Sequence, residues 1–170
     1  MNVSKYLKIL FKNLLIVMVA MVAIEAYKTR NMLRDTEPAL DKYKRVALLD
    51  RGFIDLSKKS DKPKILYFFA PWCPVCRQIS SNFKAVEGEA DVVAVALSWE
   101  SVGDVSDFIE KYSDGSYPVA LGSNNLAADF KIASFPSFYF LDKDGNYSSS
   151  SATYLTSFGI WWRVQMAKIF

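Results

Sequence analysis

Cys73 and Cys76, three positions apart, are the only two cysteines in a chain of 170 residues. A disulfide closing so short a loop adds little chain-entropy stabilisation, so chemistry explains the pair better than architecture does. The flanking residues say which chemistry. Residues 65–70 form a short, wholly apolar run of the kind that makes a covered strand. Pro71 and Trp72 leave it, and Pro74 suits the first position of a helix, where its missing N–H costs nothing. Cys73 then stands at a helix N-terminus, whose unpaired N–H groups and partial positive charge favour the thiolate, the form that attacks a disulfide. Cys76 follows about one turn later on the same face and can resolve the mixed disulfide. Cys73 is expected to be the exposed nucleophile and Cys76 the more buried resolving thiol, the two closing into a redox-active disulfide.

Composition narrows the alternatives. The chain has no histidine, which removes Ser-His triads, Cys-His nucleophile pairs and His-dependent zinc sites. With no second Cys-x-x-Cys, one chain cannot assemble a closed zinc site, and neither a metal nor a cofactor is expected. The same two thiolates are soft enough to hold Cu(I), so a copper-binding module is the competing reading. A third is an interaction protein that keeps the motif as a relic. A net charge of +3 and a pI near 8.8 are too mild for a nucleic-acid stripe. Apolar residues at 51% and aromatics at 15% support a packed globule.

The elements that must hold the cysteines follow from hydropathy. Lys5, Lys8 and Lys12 precede an apolar run over residues 14–24. The wider segment 7–26 has about the 20 residues a bilayer needs. Residues 1–27 are therefore a membrane anchor or a signal segment, and the absence of a good small-residue cleavage site favours the anchor. Lys5, Lys8 and Lys12 on one side balance Lys28, Arg30 and Arg34 on the other. The free amine and short leading tail favour an N-in topology, with the bulk of the chain outside the cytoplasm.

Residues 28–44 are polar and read as a tether, and 45–170 as one domain. Its elements are a β-hairpin over 46–56, strands at 65–70, 92–97 and 138–141, and a helix from Pro74 to about Val86. A helix at 105–112, a strand at 117–121, a short helix at 126–130, a last strand near 147–150 and a helical tail 157–170 complete it. The alternation gives an α/β fold with a mixed central sheet flanked by helices.

Phe69-Ala-Pro-Trp-Cys-Pro-Val-Cys-Arg77 resembles the active-site segment of the thioredoxin superfamily. It is most similar to the membrane-anchored bacterial TlpA/ResA-like branch and its suppressor-of-copper-sensitivity D proteins. The likeness runs from about Val46 to the C-terminus. It includes Ser134-Phe135-Pro136-Ser137 where the family has its cis-proline, the strand and turn Leu141-Asp-Lys-Asp-Gly145, and a last helix around Gly159 to Val164. The resemblance implies a thioredoxin-like fold and protein disulfide oxidoreductase activity on protein thiols and disulfides. It implies a single-pass location in the cytoplasmic membrane with the catalytic domain in the periplasm or its equivalent, and a DsbD-like electron-transfer partner. It also implies that Phe135-Pro136 is cis and packs on the disulfide.

Two departures from the family pattern bear on mechanism. The buried Asp that thioredoxin keeps six residues before its first cysteine is Tyr67 here. The Glu that many TlpA-like proteins carry three residues after the second cysteine is Ile79. Water, Tyr67 or Glu100 is left to accept the proton of Cys76, and resolution is expected to be slower for it. Trp72, leading into Cys73, is expected to shield the thiol. Arg77 is a weaker candidate for thiolate stabilisation, Trp99 for the substrate groove, and Trp161 and Trp162 for docking a membrane partner.

Overall fold

The structure, a computed structural model, describes residues 3–113 and 115–169, without the side chains of residues 3–5 and 37. The Lys5 side chain and Phe170, which enter the expectations above, lie outside the described residues. In chain order the elements begin with α1 (Val3–Thr29), α2 (Glu37–Lys42), β1 (Val46–Ala47), β2 (Phe53–Ile54) and β3 (Lys64–Phe69). Next come α3 (Pro74–Ile79), a 3₁₀ turn (Asn82–Val86), β4 (Asp91–Ala96), α4 (Val102–Tyr112) and β5 (Val119–Leu121). The chain closes with α5 (Asn124–Asp129), β6 (Ser137–Leu141), β7 (Tyr147–Ser151) and α6 (Ser157–Ile169).

Five strands form one mixed sheet in the order β5-β4-β3-β6-β7. β4 runs parallel to β3 and β5 parallel to β4, whereas β6 and β7 are antiparallel to their neighbours. Every residue of the central strand β3 is buried. Its alternation divides the core. Ile65, Tyr67 and Phe69 face Cys76, Ile79, Phe83, Phe108 and Val164, while Leu66 and Phe68 face Leu126, Phe130 and Tyr139. The expected hairpin is present as the two-residue strands β1 and β2, turned by Arg51 and Gly52, both at positive φ.

Two stretches differ from expectation. The single helix expected from Pro74 to Val86 is split. The Ser80 hydroxyl donates back to the Cys76 carbonyl (3.0 Å), and the Ser80 carbonyl, which would continue the helix, accepts from the Tyr117 hydroxyl (3.1 Å). Asn82 then donates to the Leu155 carbonyl (2.9 Å), fixing the new direction.

The second is residues 28–44, expected as a tether, which lie against the domain. Met32, Ala39 and Leu40 are buried in the second half of the core. The Leu33 N–H donates to the Tyr139 hydroxyl (3.0 Å), and Lys42 and the Tyr43 hydroxyl reach Asp129 at 2.9 and 2.8 Å. Apolar residues at 32, 39 and 40 are too sparse in a polar stretch to announce this burial.

The Asp129 clamp gives a pH prediction. Hydrogen bonds from Lys42, then from Tyr43, hold the Asp129 carboxyl below its ordinary value. Burial first, then the bond to Asp129, pushes the Tyr43 phenol up to about 12. A lowered carboxyl pKa stabilises the fold above the unfolded value of about 3.9 and loses that effect as pH falls through the folded value. The raised phenol pKa contributes below about 10 and is lost as pH rises through the folded value. Asp129→Asn should therefore lower the urea midpoint near neutrality and match the parent in strong acid. An unchanged gap across the acid range would remove the clamp from the account.

Gly122 follows β5 where the backbone passes close to β4. A Cβ there would meet Leu97 Cδ2 at 2.6 Å, Val95 Cγ1 at 2.8 Å and the Ala96 carbonyl at 2.9 Å. Gly122→Ala is expected to cost about 1–3 kcal/mol by overpacking. It should also shift Trp99, whose indole N–H donates to the Gly122 carbonyl (3.1 Å). Equal chemical-denaturation midpoints for the two proteins would contradict this.

α1 has the length and composition to cross a membrane, over Tyr6–Thr29. Its last turns dock on the domain. Glu25 accepts from the Thr153 hydroxyl (2.6 Å) and pairs with Arg163 (3.4 Å), and Lys28 donates to the Ala152 carbonyl (3.4 Å).

Candidate active site

β3 delivers the chain to the sheet end where the site lies. Beyond Phe69 the backbone turns, the Cys73 N–H donating to the Ala70 carbonyl (3.0 Å). Cys73 is the N-cap of α3, extended at φ −77° and ψ 113°, with Pro74 opening the helix as its sequence predicts. The Cys73 Sγ accepts the Cys76 N–H at 3.2 Å, so a sulfur occupies the place of a capping oxygen. A thiolate at Cys73 would receive that N–H and the helix-terminal field together. Cys73 and Cys76 are joined in a disulfide with their Cα atoms 5.3 Å apart.

The covering of this pair differs from expectation. Cys76 is fully buried, but Cys73 is only 3% exposed rather than open to solvent. Trp72, itself 59% exposed, lies edge-on to Phe135 at 5.7 Å between ring centres, and Phe135 packs on the core cluster that includes both cysteines. The Phe135-Pro136 bond is cis, and Pro136 is buried just before β6. The Trp72 indole N–H donates to the Ser98 carbonyl (3.0 Å), a carbonyl aimed by the positive φ of Ser98. Trp72 thus bridges the cysteine loop and the loop after β4. Nothing in the sequence around Ser98 signals its left-handed backbone.

The underside of the site is aromatic and hydroxylic. The Cys76 carbonyl accepts from the Tyr67 hydroxyl (3.3 Å), the Ser80 N–H (3.1 Å) and the Ser80 hydroxyl (3.0 Å). Burial drives the Tyr67 phenol well above its ordinary pKa, so it serves as a neutral donor and not as a base. Among the described residues, no carboxyl group hydrogen-bonds to Cys76. Glu100, the other sequence candidate for its proton, stands in a groove of about 400 Å³ beside Trp72, with Arg77, Trp99 and Tyr112. Arg77 lies over the Tyr112 ring at 5.5 Å. Ser80 and Tyr117 are buried neighbours of the site that the sequence did not single out. Only their proximity in the fold reveals them.

A five-stranded mixed sheet, a cysteine pair at the first turn of the helix after the central strand and a cis-proline before the next antiparallel strand define a thioredoxin-like fold. The chain belongs to the family of thioredoxin-like domains, whose sequence pattern matches residues 53–153. It is 30% identical over 96 residues to the thioredoxin-like protein YneN of Bacillus subtilis, covering 53% of this chain and 56% of that one. It is 29% identical over 103 residues to the thiol-disulfide oxidoreductase ResA of Oceanobacillus iheyensis, covering 57% and 53%. The matches span about half the length of these two relatives. A secreted Mycobacterium tuberculosis disulfide oxidoreductase has the same fold, with a TM-score of 0.66 at 20% identity over 76% of this chain and 98% of its own. The ResA match supports the TlpA/ResA-like branch within the superfamily.

Proposed function

We propose that this protein is a thiol–disulfide oxidoreductase, with residues 45–170 as the catalytic domain, held at a membrane by α1 and working on its extracytoplasmic side. The observation that carries the reading is Cys73 at the N-cap of α3, its sulfur taking the Cys76 N–H at 3.2 Å. The name of the ResA relative supports it.

In the reducing direction the Cys73 thiolate attacks one sulfur of a substrate disulfide, forming a mixed disulfide and releasing the other sulfur as a thiolate. The Cys76 thiol loses its proton and attacks Cys73 Sγ, releasing the second substrate thiolate and closing the Cys73–Cys76 disulfide. Two electrons pass to the substrate. A membrane dithiol donor, of the DsbD-like kind the family resemblance implies, restores the pair. Trp72, Pro74, Phe135 and Pro136 shape the access to Cys73.

Equilibration of the purified chain with a thiol–disulfide buffer tests the reading. A reversible two-electron transition is expected. A potential near about −270 mV would make it a reductant and one near about −120 mV an oxidant. Absence of a transition, with stoichiometric Cu(I) held by the reduced pair and no exchange activity, would replace the enzyme reading by the copper-binding one.

A further inference from the structure

We infer that the sheet end carrying the Cys73–Cys76 disulfide faces the bilayer, with Tyr154, Phe158 and Trp162 resting in its interfacial layer. This rests on the reading of α1 as a membrane anchor and adds the orientation of the domain on it.

The register fixes which end is which. Tyr67 pairs with Phe138 and Phe138 with Ser151, so β7 leaves the sheet level with the last residues of β3. Ala152 and Thr153 therefore lie at the end from which Pro71, Trp72 and Cys73 project. The segment leading back to the membrane climbs toward that same end. Leu33 bonds to Tyr139, inside the sheet; Lys28 reaches Ala152; and Glu25 reaches Thr153. The apolar run of α1 ends one residue before Glu25. The hydrocarbon boundary thus falls just beyond the disulfide end of the sheet.

The contrast with the far end lies on the α6 side of the disulfide end; Glu100 and Arg77 line the groove on its α4 side. Phe158 and Trp162 are 68% and 52% exposed, and Tyr154 is 47% exposed. All three belong to the loop after β7 and the first half of α6, the half that also carries Arg163, the partner of Glu25. Phe158 is about 7.5 Å along the helix from Arg163. The headgroup layer is roughly 5–8 Å deep on each side, and the Tyr154 and Trp162 rings, each with a polar edge, favour it. The opposite end presents Lys59, Asp61, Lys143 and Asp144 around a shallow polar depression. Charged side chains there remain in water.

An orientation of this kind places the disulfide against thiols carried at the membrane surface. The partner class it fits is an integral membrane protein with a dithiol at its outer face.

The test uses the full chain reconstituted in phosphatidylcholine vesicles containing a lipid with a nitroxide on its headgroup. Tryptophan emission is compared between the parent, Trp162→Phe and Lys143→Trp, after an alkaline carbonate wash and a circular-dichroism check of each variant. The difference between the parent and Trp162→Phe isolates the indole at 162, and the gain in Lys143→Trp isolates one at the far end. The expected result is a protein that resists the wash, with a quenched fraction several-fold larger at 162 than at 143. Equal quenching, or stronger quenching at 143, in protein that resists the wash would overturn the orientation and leave the anchor standing. Release by the wash would remove the anchor and, with it, this inference.

Discussion

Cys76→Ala is expected to turn multiple turnover into a single covalent event. The variant should accumulate a mixed disulfide between Cys73 and its substrate, visible as a mass shift lost on reduction. Cys73→Ala should form no adduct, and both variants should lose catalytic disulfide exchange. The asymmetry follows from position. Cys76 is fully buried on the inner face of α3, out of reach of a second protein, whereas Cys73 caps the helix and keeps a small exposed edge. Among the described residues, a backbone N–H is directed at the sulfur of Cys73 and none at that of Cys76. With Cys76 absent, the mixed disulfide has no neighbouring thiol to release it. An adduct with Cys73→Ala, or undiminished turnover with either variant, would reverse the assigned roles.

Tyr67 carries the second large effect, on stability. Its ring lies 5.4 Å from Phe69, 5.0 Å from Phe83 and 5.2 Å from Phe138, at the centre of the core beneath the cysteines. Tyr67→Ala removes that ring and should cost about 3–5 kcal/mol, as for other large aromatic deletions. Against a total of about 5–15 kcal/mol for a typical domain, this brings the protein to the edge of unfolding. Tyr67→Phe keeps the ring and removes one donor. The Cys76 carbonyl retains both the N–H and the hydroxyl of Ser80, so the cost should be about 0.5–1.5 kcal/mol. Urea unfolding of the three proteins measures both numbers. Equal losses in the two variants would mean that the hydroxyl, and not the ring, is what the fold requires.

The strands that hold the site were legible because burial on both faces leaves an unmistakable trace. Residues 65–69 and 92–96 are wholly apolar, and β3 and β4 are found there, each beginning one residue earlier. Pro74 located the start of α3 for an equally local reason. The illegible features all depend on residues distant in sequence. The break at Ser80 needs Tyr117, 37 residues away. The low exposure of Cys73 accompanies the packing of Phe135 on the core and the hold of Ser98 on Trp72. The docking of residues 28–44 needs Tyr139 and Asp129 as acceptors and partners. Periodicity reports which face of an element is covered, but not which remote side chain covers it.

The docked segment 28–44 has a consequence for how the protein searches for its partners. Seventeen residues of free chain would span up to about 55–60 Å and let the domain sweep a wide hemisphere around the end of α1. Folded against α5 and the sheet, the same residues shorten the leash to the dimensions of the domain itself. The volume explored shrinks accordingly, and with α1 as the proposed membrane anchor the effective concentration of the cysteine pair toward thiols in the same membrane rises. The same packing denies proteases an extended site, so cleavage between α1 and the domain must wait for that segment to detach.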